Sequence, residues 1–189
     1  MRRVLAVLFV TACAHGASPS APKTSTTTSE PMAPARPSVA AELAVPDDAP
    51  LVLVGNAKGV QVYECAPGDG GALAWKLHAP RAELFDDRGA RVALHYGGVD
   101  KNLPAGPYWE ARDGSRVHGA KPVSVANAGS IPLLKLEAAD ASGTGVLAKV
   151  AFIQRLATTG GVAPEGACTA GQTADVTYTA TYYFYSAKP

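Results

Sequence analysis

The most regular alternation in the chain is at its end. Over residues 176–185, Val176, Tyr178, Ala180, Tyr182 and Phe184 fall on one face of an extended chain, and Thr177, Thr179, Thr181, Tyr183 and Tyr185 on the other. A period of two carried by β-branched and aromatic residues predicts a strand. Similar runs precede it at 51–54, 60–65, 74–78, 82–85, 91–96, 108–111, 115–118, 122–126 and 133–138. Residues 55–59, with a glycine at each end, read as a hairpin loop between the first two runs. Residues 86–89 and 113–114 supply further turns. Residues 146–156 are long enough for a helix, but Val150, Phe152 and Leu156 alternate with Ala151, Ile153 and Ala157, which favours a strand. Many short strands separated by turns predict an all-β domain with little helix, an antiparallel β-sandwich or open barrel.

The first 48 residues break this pattern. Arg2 and Arg3 precede an apolar run over 4–10 that ends in small residues, the order of a secretory signal. That run is far shorter than the about 20 apolar residues of a membrane-spanning helix. Val10, Thr11, Ala12 and Cys13 resemble the lipobox of bacterial lipoproteins, whose cysteine is acylated. Ordinary cleavage after the Ala12, Cys13, Ala14 pattern, leaving His15 first, is the alternative. Acylation makes the membrane a partner through an N-terminal anchor, stable once about two chains are attached. Because Ala14 is not acidic, the lipobox resemblance implies the outer membrane of the cell envelope; the alternative implies a secreted soluble protein. Residues 14–48, rich in Ala, Ser, Thr and Pro, cannot bury enough apolar surface to offset their ordering entropy and are expected to form a disordered tether. Residues 49–189 then form a single β domain of the usual size.

Composition adds exclusions. The net charge is +1 with no basic cluster after the leader, so nucleic acid is not an expected partner. No G-x-G-x-x-G opens a helix and no G-x-S-x-G elbow is present, so neither a dinucleotide cofactor nor that hydrolase machinery is expected. Whichever leader reading holds, Cys65 and Cys168 remain as an even pair in an oxidising compartment and are expected to be bridged. His78 and His118 lack metal-ligand spacing to each other or to a cysteine, so no metal is expected.

Patterns in a common order across the domain resemble a secreted family of bacteria and fungi, domain of unknown function 3455. They run through Gly59, Gln61, Tyr63 and Cys65; Pro80, Ala82, Leu84, Asp87 and Gly89; and His95, Tyr96 and Gly97. They continue through Gly106, Pro107, Trp109, Glu110, Asp113 and Ser115; Gln154, Arg155, Gly160, Gly161 and Cys168; and the last strand. The chain departs from that family in about eight extra residues, 98–105, between the His-Tyr and Gly-Pro-x-Trp patterns, and in Leu133 where the family tends to have Trp. The resemblance implies export and a shared fold, and carries no activity.

The candidate ligand site groups His95, Tyr96, Trp109, Glu110, Asp113, Ser115 and Arg155, an imidazole, carboxylates and aromatic rings expected at one end of the sheets. Two aromatics could stack on a sugar or a flat apolar ligand. The alternative is a hydrolase-like enzyme using His95 with Glu110 or Asp113 as an acid/base pair. A bland reading also fits: Asp113 to Ser115 as a turn, Trp109 as core, and His95 as a satisfied structural histidine. Of the adjacent Gln154 and Arg155, one faces inward, and a buried guanidinium calls for a carboxylate such as Glu110 or Asp113. The leading expectation is an envelope domain that binds a small molecule, glycan or protein, without cofactor. Acyl labelling in a lipoprotein-processing host should mark the wild-type chain and leave Cys13→Ser unmarked; label on both, or on neither, contradicts the lipobox reading.

Overall fold

The computed structural model describes residues 35–188; the signal segment, Cys13 and the tether before residue 35 lie outside the described residues. Eight strands run β1 (Leu51–Pro67), β2 (Leu73–Phe85), β3 (Arg91–Gly97), β4 (Pro107–Ala111), β5 (Arg116–Asn127), β6 (Ser130–Ser142), β7 (Val150–Gly160) and β8 (Thr173–Ser186). Each is antiparallel to the next in chain order, and β1 pairs with β8, so the sheet closes into an up-and-down barrel. The all-β, antiparallel expectation holds. The architecture is one closed sheet in place of two layers or an open barrel.

Closure depends on strands longer than the local pattern suggests. The expected hairpin loop at 55–59 is the middle of β1, paired on both edges. Its glycines are there for close approach: a Cβ on Gly55 would stand 2.9 Å from Leu84, and one on Gly59 would collide with Ala82. The runs at 74–78 and 82–85 are likewise one strand, β2, with an irregularity opposite Val62 and Tyr63. Those at 115–118 and 122–126 are one strand, β5, whose register shifts around Lys121 and Pro122. Residues 146–149, expected to begin a strand, belong to the turn before β7.

Alternation gives every strand an inner and an outer face. The β8 pattern is as expected, with Tyr178, Ala180, Tyr182 and Phe184 buried in one cluster with Leu84, Trp109, Val117, Leu136 and Ile153. Alanines 57, 82, 93, 111 and 180 leave room in that cluster for the large rings. Trp109 meets Tyr182 and Phe184 edge-on at centroid distances of 5.3 and 5.8 Å. Such pairs add about 0.5–1.5 kcal/mol each beyond the apolar area they bury.

The connecting segments fall alternately at two ends. At one end Leu147, fully buried, enters the core from the 143–149 turn and closes the barrel floor. The other end carries the segments 68–72, 98–106, 128–129 and 161–172. There Cys65 and Cys168 form the expected disulfide, Cα–Cα 5.9 Å, tying the last long connection to the end of β1. The Tyr63 hydroxyl adds a 2.7 Å bond to the Gly161 carbonyl.

Residues 35–48, expected to belong to the tether, lie on the barrel wall. Leu43, Val45 and Ala49 are buried. The Arg36 guanidinium donates to the Ala49 and Pro46 carbonyls and lies 4.8 Å above the Tyr185 ring. Gln154, which faces outward from β7, is buried by this segment: it donates to the Leu43 carbonyl at 2.6 Å and accepts from the Tyr185 hydroxyl at 2.8 Å. Composition missed this because a few apolar side chains suffice when a wall of aromatics is waiting for them.

Replacing Cys65 and Cys168 together by serine should lower stability by roughly 2–5 kcal/mol, since the crosslink restricts the unfolded chain over a long loop. Equilibrium urea unfolding checks this. The β-sheet circular dichroism should persist, and limited proteolysis should move to the 161–172 connection.

Candidate ligand-binding site

The seven candidate residues do not form one cluster. Strand alternation and register separate them into three groups. His95 and Trp109 are direct partners across the β3–β4 pair and both point inward, their rings stacked at 4.4 Å and 4°. Arg155, on β7 beside Tyr182 of β8, joins them in the interior.

Tyr96 and Glu110 are on the outer face, where the Tyr96 hydroxyl donates to Glu110 Oε2 at 2.9 Å. Burial first, then that carboxylate, holds the Tyr96 hydroxyl above its ordinary range. Outside, Tyr96, Tyr108 and His118 stack in sequence across β3, β4 and β5, at 5.9 and 4.3 Å. Cross-strand stacking of this kind stabilises a sheet.

Asp113 and Ser115 belong to the closed end. Asp113 Oδ1 accepts from the Ser115 backbone and hydroxyl, and its Oδ2 accepts from the Val146 amide at 2.8 Å. The fully buried Ser115 Oγ accepts from the Leu147 amide at 3.0 Å. These bonds, led by the Ser115 hydroxyl, hold Asp113 below its ordinary carboxylate range. Asp113 and Ser115 therefore clamp the turn that inserts Leu147 and take no part in the site. The expectation that Arg155 pairs with Glu110 or Asp113 fails for the same reason. One carboxylate is outside the wall and the other is in the turn at the closed end. A shared acid/base pair with His95 fails with it.

What the fold assembles instead is a cavity of about 540 Å³ at the open end, to which all eight strands contribute. Leu77 and Val99, both exposed, stand at its rim. Val99 lies in the short 3₁₀ turn Gly98–Lys101, so the extra residues between β3 and β4 shape this mouth. Its wall is mostly apolar, with Ile131, Leu134 and Leu136 on one side. Its polar atoms are few. Gln61 and Trp109, each 1% exposed, both line it, and Gln61 Nε2 and Trp109 Nε1 have no hydrogen-bond partner among the described residues. Arg155 donates from Nε and Nη2 to one acceptor, the Pro132 carbonyl, at 3.1 and 2.8 Å. No aspartate or glutamate lines the cavity among the described residues.

Burial raises the Tyr63, Tyr178 and Tyr182 hydroxyls above their ordinary range, so all three stay neutral, while the charge of Arg155 opposes each shift. The same charge, added to complete burial, pulls His95 down to about 3 against the pull of its backbone bond. Its Nδ1 lies 2.8 Å from the Tyr108 carbonyl, an acceptor only, so Nδ1 carries the proton and Nε2 is left as an acceptor. The ring is thus a neutral wall of the cavity. Gln61, Tyr63 and Tyr182 line the cavity without standing among the candidate site residues of the sequence. The signal existed for Gln61, a polar side chain at an inward position between Gly59 and Tyr63.

Among the described residues no three His, Cys, Asp or Glu side chains converge as metal ligands, and no helix is long and apolar enough to cross a membrane. The features together define a disulfide-bonded β-barrel domain with one closed end and one open one, and the disulfide marks an oxidising, extracytoplasmic setting. The chain belongs to the DUF3455 family, described as proteins of unknown function, whose model matches residues 46–186 and so spans the barrel. No curated protein and no solved structure matches the chain.

The buried neutral imidazole makes stability pH-dependent. Because its folded-state value lies below the ordinary 6.5, the unfolded chain takes up the proton first as pH falls. The stability it contributes is complete above pH 6.5 and is lost as pH falls toward about 3. Urea unfolding between about pH 7.5 and about pH 4.5 should show a steeper loss for the wild type than for His95→Gln, by on the order of one proton. Parallel curves would place the ring in contact with water.

Proposed function

We propose that this domain is an extracytoplasmic binding protein that takes one small, largely apolar molecule into the open end of its barrel. The cavity carries the reading. Its volume of about 540 Å³ lies within the roughly 300–1,000 Å³ of small-molecule sites, and the Leu147 floor makes it a pocket and not a passage. An eight-stranded barrel has room inside for packed side chains or for one small ligand. Here the floor half is packed and the mouth half is not. An apolar wall with few polar groups suits a compact apolar body better than a glycan, whose hydroxyls need many partners. His95, neutral and without a carboxylate beside it, supports binding over acid/base chemistry.

The lipobox reading of Cys13 extends the proposal: the barrel is exported and held at the envelope, at the outer membrane, by acyl chains and a linker.

Nile red, a neutral apolar dye, tests the pocket. It should bind the wild-type domain at one site per molecule with blue-shifted emission. Ser124, exposed at the edge of the cavity on β5, offers a position for blocking it. Ser124→Trp should lower the dye affinity at least about tenfold with little change in stability, since a surface substitution typically shifts it by under about 0.5 kcal/mol. Equal binding by both forms would put the dye on the outer surface and remove the support for this reading.

A further inference from the structure

We infer that the ligand is a monocarboxylic acid with an apolar body, its carboxylate received by Arg155 with Gln61 and Trp109 as further donors. This rests on the reading of the barrel as a small-molecule pocket and specifies what the pocket selects.

Buried polar atoms in folded proteins are nearly always paired, and exceptions call for a reason. Among the described residues two buried side-chain atoms lack partners, Gln61 Nε2 and Trp109 Nε1. They come from β1 and β4, yet both side chains line the one cavity, and both atoms are donors. A ligand that completes this site brings acceptors.

Charge narrows the class. Arg155 is always cationic, and its partly exposed guanidinium stands on the cavity wall where an entering anion can reach it. It donates to the neutral Pro132 carbonyl and lies against the Tyr182 hydroxyl, and no carboxylate pairs with it among the described residues. No acidic side chain lines the cavity to repel an anion, and the tyrosine hydroxyls around it stay protonated. One full positive charge matches one negative charge, which favours a monocarboxylate over a phosphate or a dicarboxylate. The guanidinium fork also suits the two oxygens of a carboxylate. The rest of the cavity far exceeds the size of a carboxylate, and Leu77, Val99, Ile131, Leu134 and Leu136 offer an apolar surface for the remainder of the molecule.

Octanoate and octanamide separate the charge from shape and apolar area. Both are titrated against Nile red bound to the domain at neutral pH, where octanoate is ionised. Octanoate should displace the dye with an affinity at least about tenfold higher than octanamide, as expected when a hydrogen bond to a charged group replaces a neutral one. The readout is the ratio of two affinities on the same protein, so a general weakening of a variant does not imitate it. Arg155→Gln should bring the ratio to about one. Arg155→Lys, which keeps the charge but not the fork, should restore part of it.

If both ligands displace the dye equally from the wild type, the unpaired donors serve water and the acid assignment is overturned while the pocket stands. A wild-type preference that survives in Arg155→Gln overturns the role of Arg155. If neither the dye nor either ligand binds, the pocket reading itself falls and takes this inference with it.

Discussion

The pairing of β1 with β8 is the contact on which the rest of this molecule depends. It joins residues separated by most of the domain, from Leu51 with Tyr185 to Glu64 with Thr173, and removes both edges of the sheet. An open sheet of the same eight strands would expose two rows of unpaired backbone groups. Closure also turns alternation into enclosure, because every second side chain of every strand now faces one shared interior. That interior has a fixed width. Gly55, Gly59 and the inward alanines admit the close approach of the walls, while Trp109, Tyr182 and Phe184 fill the space this leaves.

The two ends of the barrel are finished in opposite ways. At the closed end polar side chains serve an apolar purpose: Asp113 and Ser115 satisfy the backbone of the 143–149 turn so that Leu147 can enter the core. At the open end a covalent bond and a tyrosine hydroxyl hold the 161–172 connection beside the mouth. The first arrangement removes water from one half of the interior. The other half holds the cavity.

Within the open half, the few polar groups are unequal. His95 and the tyrosines are neutral and largely satisfied, by the Tyr108 carbonyl, by the Gly161 carbonyl and by one another. Arg155, Gln61 and Trp109 are donors with less than their usual complement of acceptors. The functional reading rests on that contrast. A packed core tolerates few unmatched donors, whereas a pocket holds them ready for a partner from outside.

Local chemistry was enough to determine several features from the sequence alone. A period of two in 176–185, with β-branched and aromatic residues, specified β8 and its inner face whatever lay beside it. Cysteine parity and the expectation of an oxidising compartment specified the Cys65–Cys168 bridge, and the ordered patterns specified the family. What only the tertiary structure decided depends on partners distant in the chain. Gly55 and Gly59 have the composition of a turn and become mid-strand only because β2 and β8 pair across them. Residues 35–48 resemble a tether until the wall formed by Gln154 and Tyr185 gives them something to cover. The candidate cluster divided because alternation tells which face a residue takes but not which other strands share that face. Register and closure alone bring Gln61, His95, Trp109 and Arg155 from four strands to one cavity, and send Glu110 to the opposite side of the same sheet.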